Sequence, residues 1–259
     1  MVVKSIETTP RYTFEIITQS GEKTSPFATA KNLQTVFFQK GDATLEINQP
    51  KRLKQIKLKA GEGLVVAPGT EYRLSTKNDF LAFRASSEIN DDKPIIEIID
   101  DGYTKKEVQI KGYKVIKNPK KVVKPWGYEL WIIWTKDYHV LKQIAMKAEK
   151  RSSLQFHRKK METNYLIEGV ADIITGFVLD KDIPEDDLKK NILGVDFEIY
   201  KKRLSKNMKW TSLPGDVHRV ISVKDYIAYE VSTTELDDVI RLADDSGRDS
   251  GRIHNEHLR

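Results

Sequence analysis

The segment QFHRKKMETNYLIEG, residues 155–169, sets an amide, an imidazole and a carboxylate close together and ends on a glycine. Gln155 and His157 are two residues apart, so on a β-strand their side chains share one face. Glu162 follows, and a short turn would return its carboxylate to that face. Imidazole nitrogen and carboxylate oxygen are good ligands for a borderline divalent cation. The segment therefore indicates a metal site built on β-strands.

A second histidine lies far along the chain, in the segment PGDVH, residues 214–218, directly after a Pro-Gly turn. The candidate metal ligands are then Gln155, His157, Glu162 and His218. An amide oxygen is a weaker, harder ligand, so Gln155 would leave the ion more Lewis-acidic. Three or four such ligands leave a coordination position open for water or substrate. We expect one divalent ion, Zn²⁺ first, with Mn, Fe, Co or Ni as alternatives.

Short β-rich runs bounded by Gly, Pro or Lys-rich turns occur in both halves of the chain. They include residues 35–38, 43–47, 64–67, 138–141, 163–167, 171–174 and 226–231. Many short strands of this kind favour a sandwich or a barrel. The clearest helical candidate, residues 184–190, has a proline at its start and acids in its first turn. It lies in a charged stretch, residues 179–198, that we interpret as an insertion.

The two halves repeat one pattern. Residues 39–46 resemble residues 167–174 as strand, turn glycine and strand. Residues 67–73 resemble residues 213–219 around a shared Pro-Gly pair. The chain therefore looks like two copies of one β-unit.

The repeat predicts the domain organisation and whether the first copy keeps the metal ligands. The predicted domains are an N-terminal degenerate barrel over 1–110, a linker over 111–123, a metal-binding barrel over 124–248 and a polar tail over 249–259. Aligning the copies places Phe27, Thr29, Gln34 and Tyr72 at the ligand positions of the first barrel. These residues make no credible metal site, so the first barrel is expected to be metal-free.

Two motifs of the second half resemble those of the cupin superfamily. Residues 153–169 are similar to the first cupin motif, with Gln155 in place of the usual first histidine, and Glu162 and Gly169 keep the motif's spacing. Residues 214–218 are similar to the second motif. The resemblance implies an all-β fold of two tandem cupin barrels (double-stranded β-helix, or jelly-roll) with a short helical insertion in the second.

Three stretches narrow the resemblance to the type II mannose-6-phosphate isomerase family. They are KPWGYE (124–129), SLQFH (153–157) and DDVIRLADDSGR (237–248), and the similarity covers roughly residues 122–248. It implies a metal-dependent aldose–ketose isomerase acting on a sugar phosphate, with mannose 6-phosphate and fructose 6-phosphate as the first substrates to try. The ion would polarise substrate oxygens while a base moves a proton between C1 and C2.

The chain departs from that family in the run RKKM, residues 158–161, where a His-rich run ending in arginine is usual. Glu149 and Ser222 also replace an expected glycine and asparagine. The ligand positions survive, so the change concerns substrate handling rather than metal binding. It keeps two alternatives open. One is another cupin enzyme, such as a nucleotide-sugar epimerase or isomerase, a lyase or a dioxygenase; the other is a non-catalytic sugar-binding bicupin.

Charged and aromatic residues of the second half supply candidates for catalysis and substrate binding. The catalytic candidates are Lys142, Glu230 and Arg241, of which Lys142 and Glu230 are candidates for the base. Arginines could hold a phosphate by paired hydrogen bonds, or form salt bridges with nearby acids instead. The substrate-binding candidates are Lys124, Trp126, Tyr128, Arg219 and Arg248.

Composition excludes several classes of protein. The chain has no cysteine, which rules out disulfides, thiol catalysis and zinc–thiolate sites. The net charge of +6 fits a Lys-rich solvated surface. The basic runs do not alternate with aromatic residues, so no nucleic-acid partner is expected. With no long apolar run and a charged N-terminus, we expect no membrane partner and a cytoplasmic location. The resemblance implies a small-molecule substrate, and the exposed strand edges that often pair between cupin subunits suggest a homodimer.

Overall fold

The computed structural model describes residues 1–49, 52–88, 95–99, 105–135, 137–177, 200–248 and 251–252. Every regular element within these ranges is a β-strand. In the same ranges there is no helix long and apolar enough to cross a membrane. The predicted insertion at 179–198 and its helical candidate at 184–190 lie outside the described residues, as do tail residues 253–259.

The chain divides into two compact units, each discontinuous in sequence. The first contains Met1–Lys120 and Trp131–Leu141, and the second contains Lys121–Leu130 and Lys142–Arg259. The domain limits proposed from the sequence are continuous along the chain and stay a prediction.

The first unit is built from two antiparallel sheets. One has the strand order β1-β2-β10-β5-β8-β13, and the other has the order β3-β9-β6-β7 with β4 paired to β9. A further pair is formed by β11 and β12. The strands are β1 (Val2–Thr8), β2 (Thr13–Gln19), β3 (Lys23–Thr24), β4 (Ala28–Thr29), β5 (Leu33–Lys40), β6 (Asp42–Gln49), β7 (Arg52–Lys59), β8 (Gly63–Val66), β9 (Glu71–Thr76), β10 (Phe80–Ser87), β11 (Ile95–Ile99), β12 (Lys105–Gln109) and β13 (Tyr113–Ile116).

The core of the first unit lies between its two sheets. Val36 and Phe38 on β5 meet Leu45 on β6 and Leu74 on β9 in one buried apolar cluster. The alternation of apolar residues along β6 explains how the strand contributes, since successive side chains point to opposite faces. Two antiparallel sheets that share one apolar layer in this way form a jelly-roll sandwich.

A buried histidine also belongs to the first unit. His139 is fully buried, and its ring nitrogens are bonded to two hydroxyl groups, Nε2 to Thr35 Oγ1 at 2.9 Å and Nδ1 to Ser87 Oγ at 2.9 Å. Burial lowers the pKa of His139 to about 3. His139 is not among the candidate site residues of the sequence, and the structure makes it part of the core.

His139 should make the stability of the protein fall in mild acid. In the unfolded chain a histidine titrates near pH 6.5, so the unfolded state binds a proton that the folded state refuses. The contribution of neutral His139 to the free energy of unfolding is therefore fully present above about pH 6.5 and decreases as the pH falls toward about 3. Urea unfolding of the wild type and His139→Gln should show their stability difference shrinking by about 2 kcal/mol between about pH 7 and pH 5. A difference that stays constant with pH would contradict this account.

The second unit is organised around two long strands. β18 pairs antiparallel with β21 along its length, with register shifts between Leu166 and Glu168 and between Glu168 and Val170. β18 also pairs with β20 and β19, and β17 pairs with β21 and β22. The strands wholly or partly in this unit are β14 (Lys120–Lys124), β15 (Gly127–Thr135), β16 (Val140–Met146), β17 (Leu154–His157), β18 (Glu162–Phe177), β19 (Tyr200–Ser205), β20 (Lys209–Ser212), β21 (Asp216–Ser232), β22 (Val239–Ala243) and β23 (Gly251–Arg252).

Two residues of the predicted polar tail, Gly251 and Arg252, form a strand. Gly251 pairs with Arg241 and Arg252 pairs with Ile240, so β23 extends the sheet beyond β22. The apolar core of the second unit includes Leu166 and Tyr226, which lie on β18 and β21.

A glycine at the same place in each copy supports the internal repeat. Gly41 has φ +77° and Gly169 has φ +92°. A Cβ atom would lie 2.1 Å from the Asp79 carbonyl oxygen at the first and 1.9 Å from the Asp225 carbonyl oxygen at the second. Both positions therefore need glycine for the positive φ and for the close approach of another backbone segment.

Replacing Gly41 by alanine should destabilise the protein strongly. The new methyl group would suffer left-handed strain of about 1–2 kcal/mol and would also collide with a backbone carbonyl, which cannot move aside cheaply. We expect a loss of more than about 3 kcal/mol in the free energy of unfolding. Gly61→Ala is the matched control, because Gly61 has φ +85° but no described atom within 4 Å of its Cβ position. Equal losses in the two variants would show that the close approach is unimportant.

Candidate metal centre

Three strands bring the candidate ligands together in the second unit. Gln155 and His157 lie on β17, Glu162 begins β18, and His218 is near the start of β21. Gln155 is the register partner of His218 across the β17–β21 pair. The tight segment between β17 and β18 returns Glu162 to the face shared by Gln155 and His157, as the sequence pattern requires.

The side chains of His157, Glu162 and His218 form one buried group. His157 Nε2 lies 3.7 Å from Glu162 Oε2, and His218 Nε2 lies 3.3 Å from Glu162 Oε1. Their candidate ligand atoms all lie within 4.8 Å of one another. The three side chains are almost fully buried, at 1%, 4% and 3% exposure. This donor set of two nitrogens and a carboxylate fits a borderline divalent cation.

Hydrogen bonds orient both imidazole rings for ligation. His157 Nδ1 lies 2.9 Å from the Asp238 carbonyl oxygen, and His218 Nδ1 lies 3.2 Å from the Asp216 carbonyl oxygen. A carbonyl oxygen can only accept, so each Nδ1 carries the proton and each Nε2 presents a lone pair to the site. Ser212 Oγ supports His218 Nδ1 as well, at 3.0 Å.

Nε2 of His157 is prepared to accept a cation. It is buried and has no hydrogen-bond partner among the described residues. Burial first, and then the charges of Lys160 and His218, hold the pKa of His157 well below its usual value. The ring is therefore neutral at physiological pH, which is the form that binds metals.

Gln155 stands next to this group with its amide already engaged. Its Oε1 accepts a hydrogen bond from Ser153 Oγ at 2.7 Å, and its Nε2 lies 3.4 Å from His218 Nε2. A hydroxyl group can accept as well as donate, so the amide can turn over and keep its bond to Ser153. That rotation would direct the amide oxygen toward the site.

Lys160 is a residue of the site that the sequence analysis missed. Its side chain is buried, and its ammonium group donates to Glu162 Oε2 and, at 3.0 Å, to Glu230 Oε1. Burial alone would lower the pKa of Lys160, but the carboxylates of Glu162 and Glu230 outweigh it and raise that pKa above its usual value. The available signal was its spacing, because Lys160 lies two residues before Glu162.

The ion pairs continue from Lys160 into a buried chain of alternating charges. Glu230 Oε1 also lies 4.0 Å from Lys142 Nζ, and Lys142 Nζ lies 3.5 Å from Glu129 Oε2. Burial raises the pKa of Glu162, but Lys160 and then His218 outweigh it, so the pKa of Glu162 is lowered. The carboxylate is therefore ionised and available as a ligand.

A cavity of about 80 Å³ opens beside these groups. It is lined by the four candidate ligands and by Lys160. The other predicted site residues that line it are Lys124, Trp126, Lys142, Glu230 and Arg248. An ordered water molecule needs about 10–15 Å³ by a comparable measure, so the cavity can hold an ion with a few small groups.

Arg241, Arg219 and Tyr128 do not belong to the described lining of that cavity. Arg241 is buried, with Nε 3.8 Å from Asp244 Oδ2. Arg219 binds Asp245 Oδ2 at 3.0 Å and the Ala243 carbonyl oxygen at 3.2 Å. Arg219 thus forms the salt bridge that the sequence offered as one alternative, and its role in phosphate binding stays a prediction.

Two of the remaining substrate-binding candidates have partners of their own. The ring of Tyr128 lies under Lys121 Nζ, 4.1 Å from the ring centroid. Arg248 lines the cavity while its Nη2 binds Asp244 Oδ2 at 2.6 Å. The roles assigned to these residues from the sequence stay predictions.

The corresponding positions of the first unit form other contacts. Tyr72 Oη donates to Gln34 Oε1 at 2.6 Å, so the aligned positions do meet in space. The ring of Phe27 packs under the guanidinium group of Arg73 at 4.4 Å. Thr29 lies on β4 and is exposed.

Solved structures that match this chain include oxalate decarboxylases and a vicilin. An oxalate decarboxylase from Lactobacillus farciminis, as a formate complex, matches with a TM-score of 0.63 and 10% identity over 93% of this chain and 83% of that chain. The Bacillus subtilis oxalate decarboxylase, described with Mn(II) centres, matches with a TM-score of 0.61 and 8% identity over 90% of this chain and 71% of that chain. Vicilin from hazelnut, Corylus avellana, matches with a TM-score of 0.61 and 9% identity over 90% and 78%.

The chain therefore has a bicupin fold, all-β with two tandem cupin barrels, and the fold predicted from the sequence is confirmed. No protein-family model matches the chain, and no curated protein matches it in sequence. The resemblance to mannose-6-phosphate isomerases finds no support in these comparisons and rests on the sequence motifs. The same fold occurs in oxalate decarboxylases and in vicilins, so function must be argued from the site.

Proposed function

We propose that the second barrel binds one divalent metal ion through His157, Glu162 and His218, with Gln155 as an additional oxygen ligand after its amide turns. The orphaned Nε2 of His157 and the shared orientation of the two imidazoles support this assignment. The donor set contains no thiolate, so Zn²⁺, Mn²⁺, Fe²⁺, Co²⁺ and Ni²⁺ all suit it. Zn²⁺ and Mn²⁺ are the first ions to test, Mn²⁺ because a protein of the same fold has Mn(II) centres.

We further propose that the barrel is a metal-dependent enzyme that moves a proton on a small, oxygen-rich substrate. The observation that carries the proposal is Glu230, whose carboxylate lies between the ammonium groups of Lys142 and Lys160 beside the metal ligands. When bound, the ion would polarise a substrate carbonyl and so acidify the neighbouring C–H group. Glu230 would remove that proton, and the two lysines would stabilise the charge that moves.

Aldose–ketose isomerisation of a sugar phosphate is the reaction of this class to try first. It needs one group that takes a proton from C2 and returns it to C1, which is the role proposed for Glu230. Lys124 and Arg248, which line the same cavity, would bind the phosphate. Trp126 would exclude water from the reacting carbons.

The test uses fructose 6-phosphate and mannose 6-phosphate in deuterated water. The Mn²⁺- or Zn²⁺-loaded protein should interconvert the two sugars, with deuterium incorporated at C2 of mannose 6-phosphate and at C1 of fructose 6-phosphate, as followed by NMR. A chelator should abolish both the turnover and the labelling. Glu230→Gln should lose turnover, whereas Glu168→Gln, which alters an exposed carboxylate on the paired strand β18, should retain it. The absence of metal-dependent turnover of any sugar phosphate in a broader panel would sink the isomerase proposal.

A second candidate is metal-dependent chemistry on a small carboxylic acid. The small cavity favours it, because about 80 Å³ suits a two- or three-carbon acid better than a whole hexose phosphate. Oxalate decarboxylases share the fold, although the identity of 8–10% carries no information about activity. Oxalate and similar acids therefore belong in the same panel, with carbon dioxide release as the readout. Tight binding of a sugar or acid without turnover would instead favour a non-catalytic bicupin.

A further inference from the structure

Asn164 is a buried amide in the wall of the same cavity. It lies on β18, is 1% exposed and lines the cavity beside the candidate ligands. Neither its Oδ1 nor its Nδ2 has a hydrogen-bond partner among the described residues. Leaving a buried donor and a buried acceptor without partners opposes folding, so such a group calls for a functional explanation.

The position of Asn164 places it between the candidate metal ligands and the candidate base. Asn164 follows Glu162 by two residues on one strand, so the two side chains share a face. In the paired strand β21 its register partner is Glu230. An amide between these two groups faces the region where a substrate atom would react.

We propose that Asn164 binds a hydroxyl group of the substrate, on the carbon adjacent to the carbonyl carbon whose oxygen binds the metal ion. This inference rests on the proposed metal site. The amide offers one acceptor and donors, and a hydroxyl group offers the complementary donor and acceptor. A carboxylate oxygen would leave Oδ1 without a donor and would approach Glu230 with like charge. The site would therefore select α-hydroxy carbonyl compounds.

The probe is glycolate, compared with acetate, which lacks only the hydroxyl group. Binding of each to the Mn²⁺-loaded protein is measured by calorimetry and by the electron paramagnetic resonance signal of the ion. Glycolate should bind at least about tenfold more tightly than acetate, as expected for hydrogen bonds to an otherwise unsatisfied buried amide. Asn164→Leu, which keeps the size of the side chain, should abolish that preference while acetate and Mn²⁺ affinities stay within about twofold of the wild type.

The stability of the metal-free protein distinguishes this role from a purely structural one, because the two roles predict opposite effects of replacing Asn164. Because the amide has no protein partner in the described residues, the metal-free Asn164→Leu variant should be as stable as the wild type or more stable. A clear loss of stability would show that the amide holds the fold and would overturn the inference.

The outcomes separate this inference from the proposed function. If the wild type binds no Mn²⁺, the metal site and the inference both fail. If Mn²⁺ binds but glycolate and acetate bind equally, or if Asn164→Leu weakens both to the same extent, only the assignment of Asn164 fails. A preference for glycolate that survives in Asn164→Leu also overturns it, since another group would then hold the hydroxyl.

Discussion

His218→Ala should abolish stoichiometric binding of Mn²⁺ or Zn²⁺ to the protein. His218 Nε2 faces Glu162 at 3.3 Å and contributes one of the two nitrogen donors of the proposed centre. Loss of a group that only supports a ligand lowers metal affinity by about 10–100-fold, so loss of the ligand itself should exceed about 100-fold. Calorimetric titration of the metal-free protein measures the effect directly.

Two further variants make that experiment specific. Ser212→Ala removes only the support of His218 Nδ1 and should fall in the intermediate range of about 10–100-fold. His139→Gln removes another fully buried histidine that is bonded to hydroxyl groups outside the cavity, and should leave metal affinity unchanged. If His218→Ala binds metal like the wild type, the centre is wrongly assigned.

Lys160→Met should produce a metal-free protein of much lower stability that metal ions rescue. The Lys160 ammonium group pairs with the carboxylates of Glu162 and Glu230, all three buried. Removing one partner of a buried ion pair leaves uncompensated charge and costs about 3–5 kcal/mol. A divalent ion at Glu162 would restore the compensation, so the stabilisation by Mn²⁺ should be larger in the variant than in the wild type.

The same substitution should strengthen metal binding. In the wild type an incoming ion must displace the Lys160 ammonium group from Glu162, and in the variant it need not. Urea unfolding with a chelator and with excess Mn²⁺ measures the stability changes, and calorimetry measures the affinity. Lys159→Met is the matched control, because Lys159 is exposed and its substitution should stay within about 0.5 kcal/mol. Identical behaviour of the two variants would show that Lys160 does not hold Glu162.

Local patterns in the sequence predicted the parts of the site that depend on strand periodicity. Two ligands two residues apart must share a face of any strand, so Gln155 and His157 could be paired before the fold was known. The correspondence between Gly41 and Gly169 could also be recognised in the sequence, because a positive φ beside a close backbone segment requires glycine. The resemblance to the two cupin motifs implied the fold class, which is confirmed.

Long-range register decided the rest, and no local pattern encodes it. Lys160 was interpreted as part of a changed basic run, yet the β18–β21 pairing brings Glu230 against it and buries it in the site. Arg219 was a candidate for phosphate binding, and in the structure its guanidinium group pairs with the carboxylate of Asp245. A charged side chain can be buried where a residue of opposite charge on a neighbouring strand pairs with it.

The sequence by itself therefore determined the repeat and the candidate ligands, because these follow from spacing along single strands, and its resemblance to the cupin motifs implied the fold. Only the tertiary structure decided which charges are buried together and that Asn164 faces the cavity without a protein partner in the described chain. Those properties depend on contacts between residues far apart in sequence, such as Glu129, Lys142 and Glu230. The physical reason is that burial and pairing are set by the cross-strand neighbours, which strand register and bulges select.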